Sequence, residues 1–451
     1  MKRDAKAAVR KMSPTIKFDP RDLIMGPFVL CPKCGVEQLG ILSVRGTYYT
    51  RRCRNCWHKA DYPLPGIRKK IVYIDQFAFS NIMKVLTPDA KGHERTASEP
   101  FWKELFETLG VVCHLQLVLC PDSKQHQHES LTSAFYKSLK RTYEHFSGGL
   151  SFYASEDIKR RQIARLTECW LKKEPATFDF DAQRITHGKL HEWADRIYIT
   201  VDGVLDGFVD DVRTTRNEIR KGLQEVFEIW QREKKSFKEV FEAEKGAYTR
   251  ALVQGHLAQQ KKVNDALMRG QMPSLNDILP SQQYMVLTQL QYTFEDAFGK
   301  EESPRATAEF LRTGVMNDAP FNVIGASLFA SLSQKAAAGQ KRPPNQGTSN
   351  DVNMLSTLLP YCDAMLVDNE CRALWQDIPR DYKLPYPCAL FSPNTGDEFL
   401  AYLRKIRDSA TPEHLKIISE IYGPDPLKAP QSIYGVGKRD AEIRGQAERS
   451  Q

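Results

Sequence analysis

Two cysteine pairs, Cys31-Pro-Lys-Cys34 and Cys53-Arg-Asn-Cys56, stand 18 residues apart near the start of a 451-residue chain. Two thiolates three positions apart can turn onto one ion, and two such turns complete a closed tetrahedron. The spacing predicts a small four-cysteine zinc ribbon over residues 26–66, with Cys31, Cys34, Cys53 and Cys56 as ligands. The intervening LGILSVRGTYYTRR alternates around Arg45-Gly46, as a hairpin between two knuckles does. Four thiolates leave no open coordination position, so the expected zinc is structural and His58 need not bind it.

The remaining cysteines, Cys113, Cys120, Cys169, Cys362, Cys371 and Cys388, are scattered, several in apolar runs. That usage suits buried thiols in a reducing compartment rather than a disulfide framework. The net charge of +8 is uneven: residues 1–70 carry 16 Lys/Arg against 5 Asp/Glu, leaving the rest of the chain at −3. A basic head on a slightly acidic body predicts that the head meets a polyanion. Arg45, Arg51, Arg52, Arg54 and Lys59, interleaved with Tyr48, Tyr49 and Trp57, are the residues expected to grip phosphates and stack bases. The alternative is that these aromatics fill the ribbon's small core and the cations are merely solvated. No apolar run approaches the roughly 20 residues that span a bilayer, and the basic N-terminus lacks an apolar signal region. A soluble, cytoplasmic protein without a membrane partner is the expectation. Residues 1–25 read as a flexible basic arm and 423–451 as a disordered tail.

Between these ends the pattern predicts an α/β domain over 67–422. Ile71-Val72-Tyr73-Ile74 is a β-branched, aromatic strand candidate ending on Asp75. FWKELFETLG reads as a helix stopped by Gly110, and VVCHLQLVLC (111–120) as a strand closed by Pro121. AMLV (364–367) is a strand ending on Asp368, and YPCALFS the last strand candidate. From about 135 to 315 the pattern is a helical insertion. Within it Ile219, Leu223, Val226, Trp230, Phe237, Phe241, Tyr248 and Leu252 recur at helical spacing. This stripe reads as a packed face; a homo-oligomer through the insertion is its alternative use.

Asp75 and Asp368 share one local context, an acid at the end of an apolar strand. In an open parallel sheet, ligands bind outside the carboxyl ends of the strands. Glu129 follows the second strand candidate in CPDSKQHQHES, where a helix is expected to open. Asp351 follows Gly-Thr-Ser-Asn and is expected in the first turn of a helix. Four such acids in one crevice need cations, and hard oxygen ligands suit Mg²⁺ or Mn²⁺. Asp363 lies five residues before Asp368, roughly 16 Å along a strand, and is excluded from the set. His126 and His128 with Glu129 offer a different, transition-metal reading. Lys341 and Arg342 could guide a phosphate backbone toward Asp351.

The series IVYIDQFAFSNI, CPDSKQHQHES and SNDVNMLSTLLPYCDAMLVDNE resembles the PIN-like nuclease superfamily, in particular bacterial PIN-like proteins with a strand-end Asp-Gln. The resemblance spans about 70–130 and 320–410. It implies a PIN-like core with a central parallel sheet flanked by helices. It also implies Mg²⁺- or Mn²⁺-dependent phosphodiester hydrolysis by an acidic tetrad of Asp75, Glu129, Asp351 and Asp368. Phe77 departs from it, standing where many PIN domains carry a small polar residue; Ser80 or Asn81 is the expected substitute. The expected function is a nuclease acting on nucleic acid, RNA before DNA. The competing readings are a non-catalytic nucleic-acid-binding or assembly factor on a PIN-like fold, and a scaffold.

Overall fold

A computed structural model describes residues 19–88, 90, 92–131, 133, 135–195, 221–273, 282–344, 346–423 and 425. Most of the expected basic arm, Ile219 and nearly all of the expected tail lie outside the described residues. The chain divides into two units, one drawn from residues up to 68, 191–199 and 410–428, the other from the rest up to 451.

The first unit is built on a four-stranded antiparallel sheet, Met25–Leu30, Glu37–Arg45, Tyr48–Cys53 and Lys59–Pro63, in sequential order. The predicted hairpin turns at Gly46, whose φ of 62° is the left-handed value that glycine adopts without penalty. The unit also recruits the helix Pro412–Tyr422, which the sequence pattern had assigned to the α/β domain. Trp193 donates from its indole to Pro65 O (2.8 Å) and stacks on His414 at 5.2 Å.

The second unit holds a four-stranded parallel sheet in the spatial order Val118–Leu119, Lys70–Ile74, Ala364–Leu366, Ala389–Phe391. In chain order that is 2-1-3-4, so the direction of winding reverses between the first and third strands. The carboxyl ends at such a reversal open a crevice. Helices cover both faces. On one, Pro100–His114 and Gly396–Asp408 bury Leu105, Phe106, Phe399 and Leu403 against Val72, Ile74 and Leu366. On the other lies Pro320–Ala337, apolar on nearly every side and buried accordingly.

Two expectations need correction. Residues 111–114 are not strand: the helix from Pro100 runs through Gly110 to His114, and only Val118–Leu119 pairs with the sheet. Leu105, Leu109 and Val112 are all buried at helical spacing, so the apolar run continues the face of the preceding helix. The turn to the strand comes at Gln116, φ 58°. Likewise Gly347 to Asn350 is not a turn, because the helix begins at Gln346. Asp351 therefore lies beyond the first turn and gains little from the helix dipole.

The amphipathic stripe is used within its own chain. It divides between a helix over 221–233 and the helix Phe237–Met268, which starts at a Ser236/Glu239 capping box. Leu223, Trp230, Phe241 and Leu252 are buried, and Phe241 packs edge-on against Tyr382 at 4.8 Å. No helix among the described residues is long and apolar enough to cross a membrane.

Candidate metal centre and acidic crevice

The two knuckles of the first unit are built alike. Gly35 N donates to Cys31 O, and Trp57 N donates to Cys53 O, each closing a turn over a cysteine pair. The fourth residue after the leading cysteine is left-handed in both, Gly35 at φ 69° and Trp57 at φ 60°. The four sulfurs lie within 4.8 Å of one another; Cys31–Cys56 is 3.6 Å and Cys34–Cys53 is 3.7 Å. These separations exceed a disulfide and match the ~3.8 Å edge of a tetrahedron with metal–sulfur bonds of 2.3 Å. The four cysteines are thus close enough to hold one metal ion.

Most of the cationic residues expected to grip phosphate have other partners. Arg51 is buried, and its guanidinium donates to Pro27 O (2.9 Å), Leu39 O (3.1 Å) and Glu420 O (2.8 Å). It ties the helix Pro412–Tyr422 to the sheet and is withdrawn from any surface role. Arg54 donates to Arg21 O (3.1 Å) and Ile24 O (2.6 Å) and lies over the Phe28 ring. Tyr49 is core, stacked on Tyr62 at 5.1 Å. Lys59 pairs with Asp61 at 3.3 Å, both exposed. What stays outward is Arg45 and the exposed Trp57, with Arg52 over its ring at 4.8 Å and Arg21 at 5.6 Å. Lys341 and Arg342 are exposed in the second unit.

At the carboxyl edge of the parallel sheet, the register pairs Ile74 with Leu366, so Asp75 and Asp368 emerge side by side from neighbouring strands. Each caps the helix that follows: Asp75 Oδ1 accepts from Gln76 N (2.6 Å), and Asp368 Oδ1 accepts from Cys371 N (2.6 Å). A cap uses one carboxylate oxygen and leaves the second for the crevice. Glu129 comes from the helix Lys124–Leu131, its Oε1 accepting from Asn350 Nδ2 (3.0 Å) and Gln125 Nε2 (3.3 Å). All four acids are half-buried.

Burial and the charge of neighbouring acids act together on two of them. Burial pushes the Asp75 carboxyl up to about 8; the Glu129 and Asp368 charges add to this, and the Gln76 N–H opposes it. Asp351 is pushed up to about 9, first by burial and then by Asp75, Asp368, Glu129 and Glu370. Asp363 stays apart: it accepts from Ile71 N (2.8 Å) and Lys70 Nζ (2.7 Å) at the other end of the strands. The convergence is looser than that of the thiols. Among the described residues, no three carboxylates bring oxygens within 4.8 Å of one another.

The parts that several supporting residues play escaped the sequence pattern. His126 is fully buried, with its ring stacked on Tyr73 at 5.0 Å and edge-on to Phe79 at 5.4 Å. Its Nδ1 accepts from Ser123 N (3.1 Å) and its Nε2–H donates to Ile74 O (2.8 Å). Burial pushes it down to about 4, so it stays neutral with both nitrogens engaged and is no metal ligand. It ties the Glu129 helix to the strand end before Asp75. Polar support beside Asp75 comes from Gln76, which donates to Ser130 Oγ at 2.8 Å. Asn81 instead faces Lys84, and Phe77 packs edge-on to Trp102. Glu370, two residues after Asp368, is the acid that a search for strand-end carboxylates passes over.

No family model matches the chain, and no curated protein and no solved structure matches it either.

Proposed function

We propose that this chain is a metal-dependent nuclease with a PIN-like core. In this reading Asp75, Glu129, Asp351 and Asp368 hold Mg²⁺ or Mn²⁺, and the four-cysteine ribbon holds a structural zinc. One observation supports it: Asp75 and Asp368 end neighbouring strands at the winding reversal of a parallel sheet, and burial with the charge of neighbouring acids raises Asp75 and Asp351 to about 8 and 9. Carboxylates so crowded are poor neighbours for each other and good ligands for a hard cation. Mg²⁺ keeps several waters and takes only one or two carboxylates directly, so it does not require all four acids at one point. A bound cation of this kind supplies charge neutralisation and an activated water for displacement at phosphorus.

The chain's own residues supply position. Asp75 and Asp368 are fixed by their capping hydrogen bonds, and His126 and Asn350 fix the Glu129 helix and side chain. Trp57, with Arg52 and Arg21 beside it, is the part of the ribbon suited to docking nucleic acid, by stacking and phosphate contact. RNA is the substrate favoured here. The capping roles of Asp75 and Asp368 favour the second reading, a binding protein in which these acids are only structural. Cleavage of end-labelled single-stranded RNA and DNA with Mn²⁺ separates the two. Loss of cleavage in Asp75→Asn, with folding retained, is the expected result. Cleavage that survives Asp75→Asn would remove the assigned site, and no cleavage of either substrate would favour the binding reading.

A further inference from the structure

The carboxyl edge of the sheet does not stop at Glu129. Beyond Val118–Leu119 the chain stays extended to Asp122, which bridges Ser151 in parallel. Phe152 N donates to Asp122 O (2.8 Å) and Asp122 N to Leu150 O (3.1 Å). Ser151–Phe152 therefore prolongs the parallel arrangement by one strand position, and Tyr153 emerges on the same edge as Asp75. Two strand spacings separate them, about 10 Å. A short stretch of a single-stranded polynucleotide spans that separation.

Tyr153 packs on the core with part of its surface, and the Arg161 guanidinium lies over its ring at 4.5 Å. The exposed His187 meets the ring edge at 4.3 Å. Arg161 is exposed on the helix Ser155–Lys172. Its helical neighbours are neutralised locally, Lys159 by Glu156, Arg160 by Asp157 and Arg165 by Glu168. Arg161 has no acidic partner among the described residues. Tyr153 shares a narrow crevice with the exposed Lys124, with Gln125 and with Met354. Gln125 bonds Glu129, and Met354 follows Asp351 by one turn, so the crevice runs between the two helices that carry those acids.

We propose that Arg161, held over the Tyr153 ring, binds a phosphate of a single-stranded polynucleotide near the phosphate at the acidic crevice, with Lys124 as the second cation. This rests on the nuclease reading for its direction, from the acids toward Arg161. A guanidinium already held over a ring presents a fork that matches a phosphate. Less side-chain freedom is then lost on binding than for a free arginine. The patch is built of arginine, lysine and tyrosine in a part of the chain whose net charge is −3, so its basic character is local.

The test is fluorescence anisotropy with the full-length, zinc-loaded protein and fluorescein-labelled oligouridylate, with calcium in place of manganese. Oligothymidylate of equal length is measured beside it. Arg161→Ala is expected to weaken binding about tenfold and to lower the salt slope by about 0.7, one phosphate's share on a single strand. Arg161→Lys should recover only part of the loss, because it keeps the charge without the fork. Tyr153→Leu should weaken binding in the same direction while the protein stays folded. An unchanged affinity and slope in the Arg161→Ala, Lys124→Ala double variant, with manganese-dependent cleavage intact, would overturn the patch and leave the nuclease reading standing. Loss of binding in Arg161→Ala by a wild type that does not cleave would do the reverse. A wild type that neither binds nor cleaves overturns both.

Discussion

The four sulfurs of the ribbon lie within 4.8 Å of one another, whereas no three described carboxylates of the crevice approach that closely. The difference lies in what holds each set. The cysteines are placed by two short turns whose backbone hydrogen bonds aim both thiols at one point. The carboxylates come from strand ends and helices far apart in sequence, and three of them, Asp75, Asp368 and Glu129, are each held by their own cap or amide partner. Like charges in a half-buried crevice resist closing until a cation or a proton intervenes. Asp75 and Asp351, at about 8 and 9, take the proton. A four-cysteine cluster is legible as spacing, while acids gathered from separate elements are legible only as topology.

The largest effect that sharpens this contrast is removal of a thiolate. Structural zinc contributes about 10 kcal/mol or more to folding its site, so Cys53→Ser should unfold the ribbon. Hydrogen exchange should show protection lost over residues 25–63 while Val72 to Ile74 stay protected. Retained protection in the ribbon would show that its sheet stands without metal. Next is Asp75→Asn, expected to lower Mn²⁺-dependent cleavage at least about a hundredfold while changing the fold little, since even the residues that orient metal ligands cost that much. A cleavage rate within a few-fold of wild type would make the crevice no more than a pair of helix caps.

Arg51→Met should destabilise the first unit by about 3 kcal/mol, because three carbonyls, one buried and two partly buried, lose a charged donor. Exchange of the helix Pro412–Tyr422 should rise with it, and nucleic-acid affinity measured on the folded variant should not fall. A fall would return Arg51 to the binding surface.

The smallest effect concerns pH. Asp75 and Asp351 have folded pKa values above their unfolded ones, so the folded, metal-free protein keeps protons that the unfolded chain releases. The stability they contribute is full below about pH 4 and is lost as pH rises through about 8 and 9. The thermal midpoint without divalent cation should fall from pH 5 to pH 9, and Asp351→Asn should raise it at pH 9 by about 3 °C. Mn²⁺ should raise the wild-type midpoint more at pH 8 than at pH 5. A midpoint indifferent to Asp351→Asn would mean that the crowding is relieved in solution.

These contrasts follow what was readable before the structure. Cys31 to Cys56 carry their geometry in their spacing. Asp75 and Asp368 were visible because each ends an apolar, β-branched or aliphatic run, a purely local pattern. Val111 to His114 differ from the expected strand because so short an apolar run, Val111 to Cys113, satisfies both a helix and a strand, and the packing of Leu105, Leu109 and Val112 decides between them. Asp351 was assigned to a first turn because Gly347-Thr348-Ser349-Asn350 has turn composition, which tertiary packing overrode. Arg51 was read as a surface cation because composition does not show three carbonyls, one of them 369 residues away. Arg161 was invisible for the same reason: its distinction is the missing acid partner and the Tyr153 ring beneath it.

The central claim is that the crevice takes a hard cation in exchange for protons. Calorimetric titration of the zinc-loaded protein with Mn²⁺ at pH 7, in two buffers of different ionisation enthalpy, tests it directly. The account predicts saturable binding with net proton release, and loss of both in Asp75→Asn. Binding without proton release, or binding unchanged in Asp75→Asn, would contradict it.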